Sequence, residues 1–378
     1  MADFQRTMPD AHPHLARRRG FWSYTRLDGI LLLLILILCG YGLLVLYSAS
    51  GGDMDYVIRQ AIRMGAGLFI MTVFAQMRPQ LFARWAPAMY VVSLGLLLAV
   101  LLVGVGAKGA QRWIALPGFR FQPAEVVKLV LPLMVACYLA NRPLPPSFRH
   151  IVISLILIFL PVVLIMKQPD LGTSLLIAAS GIFVLLLSGI YWRYIFGALM
   201  VAAAGLPGLW MVMKDYQKQR VLTFLDPESD PLGAGWNIIQ SKAAIGSGGI
   251  EGKGWMLGTQ SQLDFLPESH TDFIIAVLGE ELGMIGILVL LLIYLLIISR
   301  GLVIAVKAQD SFGRLVAGSV TLTFFVYVFV NIGMVTGILP VVGVPLPLVS
   351  YGGTSIVTLM AGFGLLMSVQ AHRQMITH

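Results

Sequence analysis

Carboxylates stand where an apolar chain has little use for them. In "LDFLPESHTDFIIAVLGEELG", residues 263–283, five acids (Asp264, Glu268, Asp272, Glu280, Glu281) and His270 crowd the start of a hydrophobic run. Ionisable groups in or beside a membrane span are costly and mark functional sites by default. Ser269 with Asp272 fits the spacing of a capping box, which accounts for one hydroxyl and one acid. It leaves Glu280 and Glu281 unexplained; they lie deeper, on different helical faces, and each needs a partner such as Lys128 or Arg59.

Three further groups lie toward the same side. In "RFQPAEVVKL", Pro123 suits a first helical turn, and Glu125 and Lys128, three apart, share a face. The plainer reading is an acid favoured by the helix dipole and paired with a lysine. "KQPDLGTS" sets Lys167 and Asp170 at the end of a span, where a helix start would give the same string. "KDYQKQRVLTFLDP" offers Lys214, Lys218 and Arg220 as an anion-attracting patch, or else as a face solvated among lipid headgroups. A lipid-linked sugar pyrophosphate entering from the bilayer would use the whole set. Its tail needs an apolar groove, its phosphates need Lys and Arg, and its reacting hydroxyl needs a carboxylate base, for which Asp272 is the candidate. Desolvation would raise the pKa of that acid while a helix N-terminus and nearby cations would lower it.

The elements that must hold these residues follow from composition. With 58% hydrophobic and only 12% charged residues in 378, the chain reads as a polytopic membrane protein and not as a soluble enzyme. Spans are expected at 28–48, 57–77, 85–104, 123–140, 149–166, 172–190, 192–213, 271–299, 311–337 and 348–370. The fold class is therefore all-α, with ten transmembrane helices and one large loop, 214–270, between the seventh and eighth. Residues 1–26 form a basic arm and 27–378 a single membrane domain. The first apolar run lacks a small-residue cleavage site and is read as a retained helix.

Arg6, Arg17, Arg18, Arg19, Arg26, Arg78, Arg84, Arg142, Arg149, Arg193, Arg300, Lys307, Arg314 and Arg373 all fall on the face shared with the N-terminus. The opposite short loops hold only Lys108, Arg112, Arg120 and Lys167. The positive-inside rule then puts both termini in the cytoplasm and the large loop outside. The net charge of +8 reflects this topology and attraction to anionic lipid, and no nucleic-acid partner is expected. "GSGGIEGKGW" resembles a phosphate-binding loop but fails the Walker spacing, because Ser247 stands where the first Gly should be and Gly254 where the hydroxyl should be. Its glycines point to tight turns, to close approach of a ligand, or to a flexible surface loop. Cys39 and Cys137 fall inside spans as small apolar filler.

The series "GAQRWI", "RFQPAEVVKL", "KQPDLGTS", "GWNIIQSKAAIGSGG", "GTQSQLDFLPESHTDFIIAVLGEELG" and "PLPLVSYGGTS" closely resembles the SEDS (shape, elongation, division and sporulation) family, its elongation branch more than its division branch. The likeness covers nearly all of the chain after the arm. It implies a ten-helix peptidoglycan glycosyltransferase of the bacterial inner membrane. Such an enzyme polymerises lipid II on the outer face and releases undecaprenyl pyrophosphate. By the family's pattern Asp272, in "HTDF", deprotonates the acceptor hydroxyl, which attacks the donor's anomeric carbon with inversion. Arg120, Glu125, Lys128 and Asp170 match positions expected to contact pyrophosphate or sugar, and Lys218 and Arg220 are carried as further substrate-binding candidates. A divalent cation (Mg or Mn) is expected, with no ligand spacing here to locate it. The implied partners are a class B penicillin-binding protein, the crosslinking transpeptidase, and other elongation-complex proteins. Ala124 and Gly279 depart from the residues common in the family, so neither side chain is expected to carry chemistry. Two rivals stand beside the enzyme: a lipid II flippase, which would show discontinuous helices around a midplane site, and a non-catalytic scaffold for the transpeptidase.

Overall fold

The computed structural model describes residues 26–107, 110–116, 119–226, 234–262 and 269–376. Helices stand at all ten expected span positions: α1 Gly29–Ala49, α2 Met54–Gln76, α3 Pro79–Val103, α4 Pro123–Ala140, α5 Phe148–Met166, α6 Leu171–Leu187, α7 Trp192–Val212, and then, past the large loop, Ile274–Lys307, Ser311–Val335 and Thr354–Ile376. Eight of them are long and apolar enough to cross a membrane; α6 is apolar but has 17 residues, about 25 Å at 1.5 Å per residue, and α7 is not among the eight. Their starts follow from local chemistry. Asp28 caps α1 by accepting from Leu31 N at 2.9 Å, Asp53 caps α2, and Pro79 and Pro123 open α3 and α4, where no N–H is needed.

Two segments differ from an all-α chain with one open loop. Between α3 and α4 the chain forms a small antiparallel meander, β1 Val105–Ala107, β2 Ala110–Leu116 and β3 Phe119–Phe121. Its strands are too short to rise above the surrounding apolar signal. The expected loop 214–270 is also largely helical in its described part: α8 Asp215–Leu225, α9 Ala234–Gly248 and α10 Thr259–Gln262. Numbering continues with α11 Ile274–Lys307, α12 Ser311–Val335 and α13 Thr354–Ile376.

The glycine-rich stretch after α9 lies against α11 rather than open as a surface loop. At Gly283 (φ 62°, ψ −159°) α11 is interrupted, so two helices meet there. The exposed backbone is stitched to the loop: Lys253 N donates to Glu280 O and Gly254 N to Glu281 O, both at 3.0 Å, while Met284 N and Ile285 N donate back to the carbonyls of Gly249 and Ile250. Main chain in a membrane interior must find such partners. The glycines therefore serve close approach between two stretches of protein backbone.

The helices pack as two apolar clusters. One gathers α1, α2, α11 and α13 (Leu31, Met71, Tyr294, Met360); the other gathers α3, α4, α5 and α6 (Tyr90, Leu131, Ile158, Ile177). Helix α12 joins them, giving Phe324 to the first and Leu315 to the second.

Candidate functional site

The turn before α11 carries the acid singled out in the sequence, and its main chain is held from three sides. Tyr351 N donates to His270 O at 2.9 Å, Ser350 Oγ to Thr271 O at 2.5 Å, and Asn331 Nδ2 to Asp272 O at 2.9 Å. Asn331 is fully buried and donates also to Val344 O at 2.7 Å, so one amide ties the turn to the "PLPLVS" segment. That segment contains Leu348 at φ 61°, a left-handed conformation a leucine holds only when its surroundings impose it. The capping-box expectation is corrected here. Helix α11 starts at Ile274, with Phe273 at the N-cap and no side-chain cap bond, while Ser269 Oγ turns to Ala49 O at 3.3 Å. Asp272 is half-buried, and its Oδ2 lies 3.5 Å from where a Cβ on Gly343 (φ 72°) would sit.

Glu125 and Lys128 meet as their spacing requires. Lys128 Nζ lies 2.6 Å from Glu125 Oε1, Thr358 Oγ1 donates to Glu125 Oε2 at 3.2 Å, and the ammonium sits 5.0 Å from the centre of the Tyr327 ring. The pair lines a crevice between α4, α12 and α13 that also exposes Tyr327, Ser355, Thr358 and Phe363. This crevice lies at the seam between the two apolar clusters, where binding sites commonly form. Asp272 does not line it. The two are linked through α12: Tyr327 contacts Lys128, and Asn331, one turn further along the same face, holds the Asp272 main chain.

Asp170 caps α6 by accepting from Thr173 N at 3.2 Å, as a helix start requires; it also gathers Gln122 Nε2 at 3.3 Å and Arg112 Nε at 3.7 Å. Arg112 donates in addition to Pro169 O, which fastens the β meander over the starts of α4 and α6. Arg120 lies in β3 opposite Ala115, with its side chain outside the described residues. Lys218 and Arg220 are half-buried on α8, which packs on α9. Asp264 and Glu268 fall outside the described residues.

The expected partners of the two deep glutamates are corrected. Glu280 is fully buried and bound by the loop: Lys253 Nζ at 2.7 Å, Thr259 N at 2.8 Å, Thr259 Oγ1 at 3.0 Å and Gln260 N at 3.0 Å all donate to it. Glu281 accepts from Ser48 Oγ on α1 at 2.5 Å. Lys128 is taken by Glu125, and Arg59 lies exposed beside Asp55. Both glutamates sit next to the break in α11, so their carboxylates fasten loop and neighbouring helix to a discontinuous element.

Sequence reasoning missed the residues that frame the turn. Gln60, fully buried, donates to Ser350 O at 2.9 Å and accepts from Gly352 N at 3.3 Å. Arg63 donates to Gly352 O at 3.2 Å and lies 4.6 Å over the Tyr351 ring, which with Tyr56 packs around His270. A signal for both existed: Gln60 and Arg63 are polar, three apart, and inside a span. Among the described residues no three His, Cys, Asp or Glu side chains converge as metal ligands.

Comparison with known proteins matches this arrangement throughout its length. Residues 29–375 match the family model for FtsW, RodA and SpoVE, described as "Cell cycle protein". The chain is 56% identical over 361 residues to "Peptidoglycan glycosyltransferase MrdB" of Escherichia coli (strain K12), covering 95% of this chain and 98% of that protein. It is 39% identical to "Probable peptidoglycan glycosyltransferase FtsW" of Trichlorobacter lovleyi, covering 91% and 93%. Among solved structures, one described as "Structural coordination of polymerization and crosslinking by a peptidoglycan synthase complex" superposes with a TM-score of 0.82 at 32% identity, covering 92% of this chain and 98% of the other. The Thermus thermophilus rod shape determining protein RodA superposes with a TM-score of 0.70 at 28% identity, covering 92% and 97%.

Proposed function

The chain belongs to the FtsW/RodA/SpoVE family, and from that premise we propose that it is a peptidoglycan glycosyltransferase which polymerises lipid II at the outer face of the inner membrane, with Asp272 as general base. The observation that carries this reading is the geometry of one acid. The main chain of its turn is pinned by Asn331, Ser350 and Tyr351, and Asn331 lies one turn of α12 from Tyr327, which lines the crevice with Lys128 and Glu125. Clamping the main chain of a catalytic acid fixes its approach to a substrate hydroxyl, on which general-base efficiency depends.

The acceptor hydroxyl gives its proton to the Asp272 carboxylate and its oxygen attacks the donor's anomeric carbon from the face opposite the leaving group. The C–O bond to the pyrophosphate breaks, the configuration inverts, and undecaprenyl pyrophosphate departs. Lys128 draws on the phosphates from the crevice, with Glu125 holding its ammonium in place. Arg112 and Asp170 brace the starts of α4 and α6, and Arg120, Lys218 and Arg220 extend the cationic approach. A divalent cation enters this reading as company for substrate phosphates beside a carboxylate. The partner is a class B penicillin-binding protein that crosslinks the strand as it emerges, within an elongation complex. Both termini face the cytoplasm.

A flippase reading gains one feature from the structure, the discontinuity in α11. Backbone groups freed there pair with amides and carbonyls of residues 249–254, so the break serves to hold the loop, and this favours the enzyme. The test is incubation of the purified protein, with its transpeptidase, with labelled lipid II. A ladder of glycan polymer that vanishes in Asp272→Ala is the expected result; lipid movement across vesicles with no polymer overturns it.

A further inference from the structure

We propose that the bundle end formed by α4, α5 and α7, opposite the Asp272 face, binds a phospholipid whose headgroup carries two phosphates. The residues are Arg142 after α4, Arg149 and His150 in the first turn of α5, and Arg193 at the start of α7. The Arg142 guanidinium carbon lies 4.6 Å over the Tyr138 ring, and the Tyr138 hydroxyl is 2.9 Å from His150 Nδ1. Arg193 sits 5.0 Å from the Tyr191 ring and 4.9 Å from that of Tyr194, whose ring in turn meets Phe148 at 5.8 Å. These contacts tie Arg142 and Arg193 to the start of α5 at His150 and Phe148, the two neighbours of Arg149.

What the patch lacks is an anion. Among the described residues the carboxylates at this end are Asp28 and Asp310; the first holds Arg300 at 2.5 Å, and the second caps α12 through Gly313 N at 2.9 Å. None of Arg142, Arg149 and Arg193 has a carboxylate partner among the described residues, and all three are exposed. Arg193 Nη2 also donates to the Tyr194 hydroxyl at 3.3 Å; the remaining N–H groups of a ring-held arginine suit a bidentate acceptor, and phosphate is the acceptor that fits. Tyr191 (51% exposed), Trp192 (72%), Phe148 (61%) and Phe196 (61%) set the patch at headgroup depth. Exposed Ile156 and Leu199 continue inward where acyl chains would lie. The cations fall in two groups on either side of the α5 start, with Arg149 between them, an arrangement that suits two phosphates better than one.

General positive-inside charge is the competing explanation, and the chain supplies its own control. Arg78 and Arg84 on α3 are exposed at the same end with no ring against either guanidinium among the described contacts. The experiment is lipid titration of the delipidated, detergent-solubilised protein by native mass spectrometry, with cardiolipin, phosphatidylglycerol and a polyprenyl diphosphate as probes. Cardiolipin is expected to bind at least tenfold more tightly than phosphatidylglycerol. R142Q/R193Q should weaken it about 25-fold, about fivefold per arginine, while R78Q/R84Q changes it less than about twofold. R149Q, at an exposed position, repeats the test with about a fivefold loss if the double variant melts early. Equal losses in the two double variants overturn the site and leave only bulk charge. Parity between the two phospholipids overturns the two-phosphate reading, and tighter binding of the polyprenyl diphosphate overturns the phospholipid in favour of a lipid-linked pyrophosphate.

Discussion

Asn331, Ser350 and Tyr351 hold the Asp272 turn through its main-chain carbonyls, and those three bonds survive a change of the side chain. Asp272→Asn should therefore leave the melting temperature of the purified protein nearly unchanged while polymerisation of labelled lipid II falls by about 10²–10⁴, the range a general base contributes. A large loss of stability in this variant would mean that the acid is structural. Glu125 and Lys128 make the opposite case. Their side chains are 7% and 11% exposed, so removing one leaves a buried charge uncompensated, at a cost of about 3–5 kcal/mol. Glu125→Gln and Lys128→Met should each lower the melting temperature, and the double variant should melt above the sum of the two losses; simple additivity would refute the pairing. Both expectations were partly legible from spacing alone, since acid and lysine three apart on a helix must share a face. Asn331 was not legible, because a single amide in an apolar run does not say which distant carbonyls it serves.

At the level of elements, the interrupted α11 decides how the long segment between α7 and α11 is held. Gly283 takes a positive φ, and a Cβ there would come within 2.5 Å of Ile250 O; at Gly252 (φ 82°) it would run into the main chain of Glu281. Neither contact can be relieved by a side-chain rotation, because both partners are backbone. Gly249 is also left-handed (φ 59°) but has open space where its Cβ would go. Gly283→Ala and Gly252→Ala are thus expected to abolish monodisperse protein in size-exclusion chromatography. Gly249→Ala should cost only the local strain of about 1–2 kcal/mol, and equal behaviour of the three variants would show that backbone conformation alone is at stake. The sequence announced glycines for close approach but left open what approaches. A protein backbone and a ligand place the same demand on a missing Cβ, so only the three-dimensional pairing of residues 249–254 with 280–285 distinguishes them. The meander and the helices within 214–270 were hidden for a related reason: strands of three to seven residues and helices of four to fifteen carry too little periodic signal beside long apolar runs.

For the molecule as a whole, the positions of the ten main helices follow from hydropathy because the bilayer fixes both their length and their composition. Which way the bundle faces is carried by charge. Arg78, Arg84, Arg142, Arg149, Arg193, Arg300 and Lys307 lie at one end of the helices, where Asp28 and Asp310 are the described acids, whereas the described opposite end mixes cations such as Arg59, Arg63, Lys128 and Lys253 with acids such as Asp55, Glu125, Asp272 and Glu280. Holding these cations on the cytoplasmic side satisfies the positive-inside bias, and the enzyme reading depends on that orientation because lipid II is polymerised on the other face. The orientation can be measured directly. Cys39 is buried and Cys137 half-buried within spans, which gives a low thiol background. A membrane-impermeant maleimide should label Lys167→Cys in intact cells, and should label Lys307→Cys only after the membrane is opened; both positions are exposed at helix ends. The reverse pattern would turn the Asp272 turn and its crevice to the cytoplasm, away from the growing wall, and would remove the physical basis for polymerisation there however close the family likeness.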